Sequence, residues 1–143
     1  MNVEAILRSK GSNVVTARPD ASVAEIARLM RDSRIGAVVI TPDRVRVEGI
    51  LSERDIVRAL AEQGEAALSF SASAVMTRDV TTCAPSDTVA QLMAAMTSGR
   101  FRHLPVVEEG ALIGIVSIGD VVKWRVEEIE REAEALRTYV TQG

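Results

Sequence analysis

The sequence predicts an α/β chain of the α+β kind: two β-α-β-β-α repeats packed about a pseudo-twofold axis, with a short helix before them and a long one after. The first observation behind this is that the chain matches itself. Val14, Pro19, Ser22, Val23, Glu25, Ile26 and Met30 stand opposite Val80, Pro85, Thr88, Val89, Gln91, Leu92 and Met96, each pair 66 residues apart. After a one-residue slip, Gly49-Ile50-Leu51-Ser52 and Asp55 stand opposite Gly114-Ile115-Val116-Ser117 and Asp120 at a spacing of 65. Two repeats are too few for a solenoid, which needs roughly three or more, so two half-domains closing on each other fit better. The second observation is that local patterns inside each copy run in the same order. The third is composition: 143 residues are 47% hydrophobic but only 3% aromatic, which makes about one average domain and excludes a disordered chain.

Residues 1–13 are read as a lead-in helix, 14–63 as the first repeat, 64–79 as a connection, 80–123 as the second repeat and 124–143 as a C-terminal helix. Each repeat opens on a short leading strand, which in the second runs through Val80-Thr81-Thr82 to Cys83. Ser22-x-x-Glu25 and Thr88-x-x-Gln91 then carry the capping-box pattern, in which two side chains satisfy the free N–H groups of a helix start. Val23, Ile26, Ala27, Leu29 and Met30 share one helical face, as do Val89, Leu92, Met93 and Met96. The apolar runs Ala37–Ile40 and Leu104–Val107 read as buried strands. Turns at Thr41-Pro42-Asp43 and Glu108-Glu109-Gly110 follow, then return strands at Val47–Leu51 and Leu112–Val116. A second helix starts near Ser52 and near Ser117, and the Ala- and Ser-rich stretch Gly64–Ser73 links the repeats. Past Lys123, the residues Val122, Val126, Ile129, Ala133, Leu136 and Val140 recur at intervals of 4, 3, 4, 3 and 4, which is a heptad seam. Arg125 with Glu130 and Glu132 with Arg137 would attract in a parallel helix pair; the other reading is a helix lying on its own module with a solvated charged face.

Charge and side-chain inventory exclude several classes. Seventeen basic against 20 acidic residues give −3, with no basic run, so nucleic-acid binding is not expected, and the scarcity of aromatics argues against base-stacking platforms. One cysteine, Cys83, forms no internal disulfide and reads as a buried inert thiol of a cytoplasmic protein. No apolar run approaches the roughly 20 residues of a membrane span. A single histidine, His103, makes no metal site, and no nucleophile elbow, phosphate-cradling glycine loop or zinc-like spacing is present, so neither catalysis nor a required cofactor is expected.

Four segments carry a resemblance: Val80-Thr81-Thr82 with Pro85, Arg102-His103-Leu104-Pro105-Val106-Val107, Gly49-Ile50-Leu51-Ser52-Glu53-Arg54-Asp55, and Gly114-Ile115-Val116-Ser117-Ile118-Gly119-Asp120. In them the chain resembles a tandem pair of cystathionine β-synthase (CBS) domains, often called a Bateman module, of the stand-alone bacterial type. The resemblance spans about Val14 to Lys123. It implies a regulatory module rather than an enzyme, binding an adenosine-containing ligand (AMP, ADP, ATP or S-adenosylmethionine) in clefts between the repeats. It also implies a disc-shaped homodimer and, with no room for an effector domain, action on a separate protein partner. Asp55 and Asp120 would then accept ribose hydroxyls, and Ser52 and Ser117 would meet phosphate. The base would lie against backbone near Thr16 and Thr82, with Ile35, Gly36 and Ala37 and with His103 to Pro105. The resemblance places Thr16 and Gly36 in the Asp120 cleft and Thr82 and His103 in the Asp55 cleft.

The residues carry part of this by themselves. Ser52 and Ser117 stand where a strand gives way to a helix, whose N-terminus favours anions. A carboxylate can accept two neighbouring hydroxyls at once, and Arg54, Arg100, Arg102 and His103 offer positive charge. Ser-x-x-Asp is also an N-terminal capping pattern, and the motif leaves both readings open, since a duplicated fold duplicates its caps. Glu53 opposes a triphosphate, so AMP is favoured. The alternative function is a structural or partner-binding dimer with vestigial clefts.

Overall fold

The computed structural model describes residues 1–142. In chain order the elements are α1 (Val3–Lys10), β1 (Thr16–Ala17), α2 (Val23–Ser33), β2 (Ala37–Ile40), β3 (Gly49–Ser52) and α3 (Glu53–Gln63). A 3-10 turn over Gly64–Ser69 and the short α4 (Ala72–Val75) lead into α5 (Val89–Gly99), β4 (His103–Glu108), β5 (Ala111–Ser117) and α6 (Ile118–Gln142). In the first sheet β2 lies between β1, parallel to it, and β3, antiparallel to it. β4 and β5 pair antiparallel as its counterpart. Mixed helix and strand in duplicate is the α+β architecture expected from the repeat.

The caps set the helix starts. Thr88 and Gln91 form a complete capping box at α5. At α2, Ser22 accepts the Glu25 amide at 3.1 Å. Both helices end on an arginine in the left-handed region, Arg34 at φ 55 and Arg100 at φ 57. Glycine is the usual residue there because a Cβ costs about 1 kcal/mol. Val23, Ile26 and Met30 of α2 and Val89, Leu92 and Met96 of α5 are buried, as the helical periodicity requires.

Each repeat keeps its own aliphatic core, and each core is closed by a segment outside the repeated unit. Val3 and Ile6 of α1 join Leu92, Met96, Leu104, Val106 and Val116 of the second repeat. Ala72 of α4 and the following Met76 join Ile26, Val38, Ile40 and Leu51 of the first. Gly49 and Gly114 make these closures possible. A Cβ on Gly114 would meet Leu7 Cδ2 at 2.7 Å, and one on Gly49 would strike the Met76 side chain.

Two expectations are corrected. The leading strand of the second repeat, expected over Val80–Cys83, is reduced to one bridge between Cys83 and Val106. In the first repeat the Val39 amide donates to the Val15 carbonyl at 3.4 Å. The residue matching Val39 is Pro105, which has no N–H, so that rung cannot form. The second helix of the second repeat and the C-terminal helix are also not separate, because α6 runs unbroken for 25 residues. The expected helix reached Gly143, which lies outside the described residues.

Candidate functional site

At the β3–α3 junction Ser52 and Asp55 form a full capping box. Asp55 Oδ2 accepts the Ser52 amide at 2.9 Å and the Ser52 hydroxyl at 3.0 Å, while Ser52 Oγ accepts the Asp55 amide at 3.3 Å. Asp55 Oδ1 accepts from Thr77 Oγ1 at 3.1 Å and lies 3.5 Å from the Arg58 guanidinium. The carboxylate is buried at 5% exposure, which a charge tolerates only with partners of this kind. The capping reading of Ser-x-x-Asp is thus realised here.

A cleft of about 600 Å³ opens beside this junction and draws on both repeats. Gly36, Ala37, Ser52, Glu53, Arg54 and Asp55 line it from the first, and Thr81, Arg100, Phe101, Arg102 and His103 from the second. Gly36 leaves room between Glu53 and His103, since a Cβ there would lie 2.9 Å from Glu53 Oε1 and 3.5 Å from His103 Cε1. Its carbonyl also accepts the first amide of α3, from Glu53, at 3.0 Å. Arg54 crosses between repeats and donates to the Arg100 carbonyl at 3.2 Å. Arg54, Arg58, Arg100 and Arg102 line the cleft together with Glu53, Asp55 and Asp79, four basic residues with three acidic ones. Burial holds His103 below the ordinary imidazole pKa, against the opposing charge of Glu53 and with the charges of Lys10 and Arg102 adding to it. The ring is neutral at pH 7 and offers one donor and one acceptor.

The β5–α6 junction repeats the box with different surroundings. Asp120 Oδ2 accepts the Ser117 amide at 2.9 Å and hydroxyl at 3.0 Å, and Ser117 Oγ accepts the Asp120 amide at 3.2 Å. Here the facing group is an ammonium, Lys10 Nζ, 2.6 Å from Oδ2. Burial pushes the Asp120 pKa up, the Lys10 and Ser117 hydrogen bonds pull it down, and the net lies below the usual carboxylate range.

The expected site residues therefore divide. Gly36, Ala37, Ser52, Arg54, Asp55, Arg102 and His103 converge on one cleft. Gly36 borders the Asp55 cleft, whereas the resemblance put it with Asp120. Thr81, not Thr82, lines that cleft, and Thr82 is exposed beside it. Thr16 is held in β1 opposite Val39, Ile35 packs against the first core, and Pro105 is buried in β4. Ser117 and Asp120 sit at the other junction with Lys10. Sequence reasoning missed Lys10, Thr77, Arg58 and Phe101. Of these only Arg58 left a local signal, being one helical turn after Asp55 and so on the same face. Cys83 is buried, and burial, reinforced by the charge of Asp87, pushes its thiol up to about 12. No helix among the described residues is long and apolar enough to cross a membrane.

Comparison with known proteins agrees with this architecture. The CBS domain family matches the chain twice, over residues 3–62 and 72–127. A CBS-domain containing protein from Agrobacterium tumefaciens is 51% identical and superimposes with a TM-score of 0.84, covering 87% of this chain and 92% of its own. A CBS domain protein from Pyrobaculum aerophilum, complexed with AMP, is 27% identical with a TM-score of 0.74, covering 84% and 89%. The CBS domain pair of protein MJ0100, in complex with 5-methylthioadenosine and S-adenosylmethionine, is 25% identical with a TM-score of 0.77, covering 87% and 98%. With the family matched in both halves and the fold shared with solved pairs, the chain belongs to the CBS domain family as a tandem pair.

Proposed function

We propose that the chain is a regulatory module that binds an adenosine-containing ligand in the Asp55 cleft, with AMP favoured over ADP, ATP and S-adenosylmethionine, and that its ligand state alters a separate protein partner in the cytoplasm. The observation that carries this reading is the cleft itself. It joins the carboxylate of one repeat to the cationic edge and neutral imidazole of the other, within a volume of about 600 Å³. AMP, 5-methylthioadenosine and S-adenosylmethionine, the ligands of the two similar proteins, share an adenosine, so the common requirement is a diol acceptor and a slot for the base. Asp55 supplies the acceptor once the Thr77 hydroxyl turns aside. The Gly36 backbone supplies close approach, and Arg54 and Arg102 supply charge for one phosphate. Glu53, reaching across to Gly36, disfavours a longer phosphate chain. No covalent step is involved.

Calorimetric titration with AMP, ADP, ATP and S-adenosylmethionine tests the reading, repeated on Asp55→Asn with its folding checked by circular dichroism. Loss of hydrogen bonds to a charged acceptor costs about 1.5–3 kcal/mol, so folded Asp55→Asn should bind AMP at least roughly tenfold more weakly. No binding of any of the four by wild type contradicts the reading and favours a dimer with vestigial clefts.

A further inference from the structure

His103 is the one histidine of the chain, and it stands where the two repeats face each other. It opens β4 of the second repeat, while Gly36 and Glu53 of the first approach it. A Cβ on Gly36 would lie 3.5 Å from its Cε1 and 2.9 Å from Glu53 Oε1. The ring is half-buried and lines the cleft. No protein group among the described residues hydrogen-bonds to it, and neither ring nitrogen is sealed from water, so its polar edge is open to a ligand. Burial does most to hold its pKa below the ordinary imidazole value. Glu53 of α3 and Asp120 of α6 pull it up, while Lys10 of α1 and Arg102 beside it in the chain push it down. The other basic groups of the cleft, Arg54, Arg58 and Arg100, are all arginines.

We propose that His103 makes the cleft select its adenosine ligand by the charge at the 5′ position, taking up a proton as a 5′-phosphate enters and none for a ligand without one. This rests on the adenosine-binding reading above. An arginine is charged at every working pH and so draws an anion equally at all of them. Imidazole is the side chain whose charge changes between about pH 5 and 8. A phosphate monoester carries about −1.5 to −2 at pH 7, and an opposite charge within about 4–6 Å of a titrating group moves its pKa by about 1–3 towards the charged form. The neutral ring of the empty cleft then becomes an imidazolium beside the phosphate and offers it a second donor. The sign follows: a proton taken up on binding means that affinity for AMP rises as pH falls through the interval between the free and the AMP-bound pKa of the ring. The positive sulfonium of S-adenosylmethionine gains nothing from that proton, so the preference for AMP over it widens as pH falls.

With one histidine in the chain, its Cε1 proton gives a single resonance, and NMR of the full wild-type chain from pH 5.5 to 8 reads its pKa directly. The ring is followed alone, with saturating AMP and with adenosine, which lacks the phosphate. AMP should raise the pKa by about 1 or more, and adenosine should leave it where it was. A value unmoved or lowered by AMP while other resonances report binding, or raised equally by adenosine, overturns the role of His103 and leaves the adenosine reading standing. Calorimetry with AMP on wild type and on folded His103→Gln is the second measurement. The phosphate's own second pKa, near about 6, affects both proteins alike. The ratio of their affinities should therefore rise at least about threefold from pH 7.5 to pH 6, within the tenfold that a pKa change of one allows. A level ratio overturns the role of His103 too. No response of any resonance to AMP overturns the reading and this inference together.

Discussion

His103 shows how much one side chain can report about the cleft around it. Burial lowers its pKa, so the folded protein prefers the neutral ring while the unfolded chain takes a proton near the usual imidazole value of about 6.5. The stability this contributes is complete above that value and is lost as pH falls from it towards the lower folded pKa. The melting temperature should therefore drop between pH 7.5 and pH 5.5, and drop less in His103→Gln, which does not titrate; equal drops in thermal melts of the two proteins would contradict this. The histidine and its neighbour Pro105 also mark what a residue pattern conveys. Pro105 stood in plain view inside an expected strand, and its missing N–H removes one rung of the ladder. The Ser-x-x-Asp boxes were equally visible, since a cap is a local device spanning four residues. Lys10 on Asp120 was not, because the two are 110 residues apart in the chain and only the docking of α1 brings them together.

Among the elements, α1, which precedes the first repeat, and α4, which lies between the two, do the same task. Each lays an apolar side chain over a strand glycine, Leu7 over Gly114 and Met76 over Gly49, and each pairs with the cap of the helix beside it. Asn2 bridges to Thr88, and Ser71 bridges to Ser22. The helix that precedes the first repeat is thus part of the second repeat's core. Ile6, fully buried there, is its keystone. Ile6→Ala should cost about 2–5 kcal/mol in chemical denaturation, the usual range for emptying such a site. A loss below about 0.5 kcal/mol, the scale of surface substitutions, would mean that α1 is a loose appendage. The sequence periodicity located the helices α2 and α5, because an amphipathic face is written in consecutive residues. It did not show which repeat α1 closes, because that depends on packing between distant segments.

At the scale of the whole molecule, aliphatic composition and architecture agree. Two small cores, without a large aromatic in their buried shells, are filled by Val, Ile, Leu, Met and Ala, with Cys83 in the second. Trp124 and Phe101 only flank the second core. What remains unsatisfied is α6. Val122, Val126, Ile129, Leu136 and Val140 along its seam are between 47% and 69% exposed. Arg125 and Arg137 find partners within the helix, at Glu128 and Glu134. A second copy of α6 running parallel would cover the seam and let Arg125 and Arg137 meet Glu130 and Glu132 across it. Light scattering should then show a dimer for the full chain and a weaker one for a chain ending at Lys123. An unchanged dimer would remove α6 from the interface.

An amide NMR titration of the full chain with AMP shows whether the cleft bounded by Gly36, Asp55 and His103 receives an adenosine nucleotide. Binding there gives saturable shifts concentrated at Gly36, Ser52 to Asp55, Thr81, Gly99 and His103, all of which line the cleft. Spectra unchanged by AMP, or shifts confined to residues away from that cleft, would contradict it.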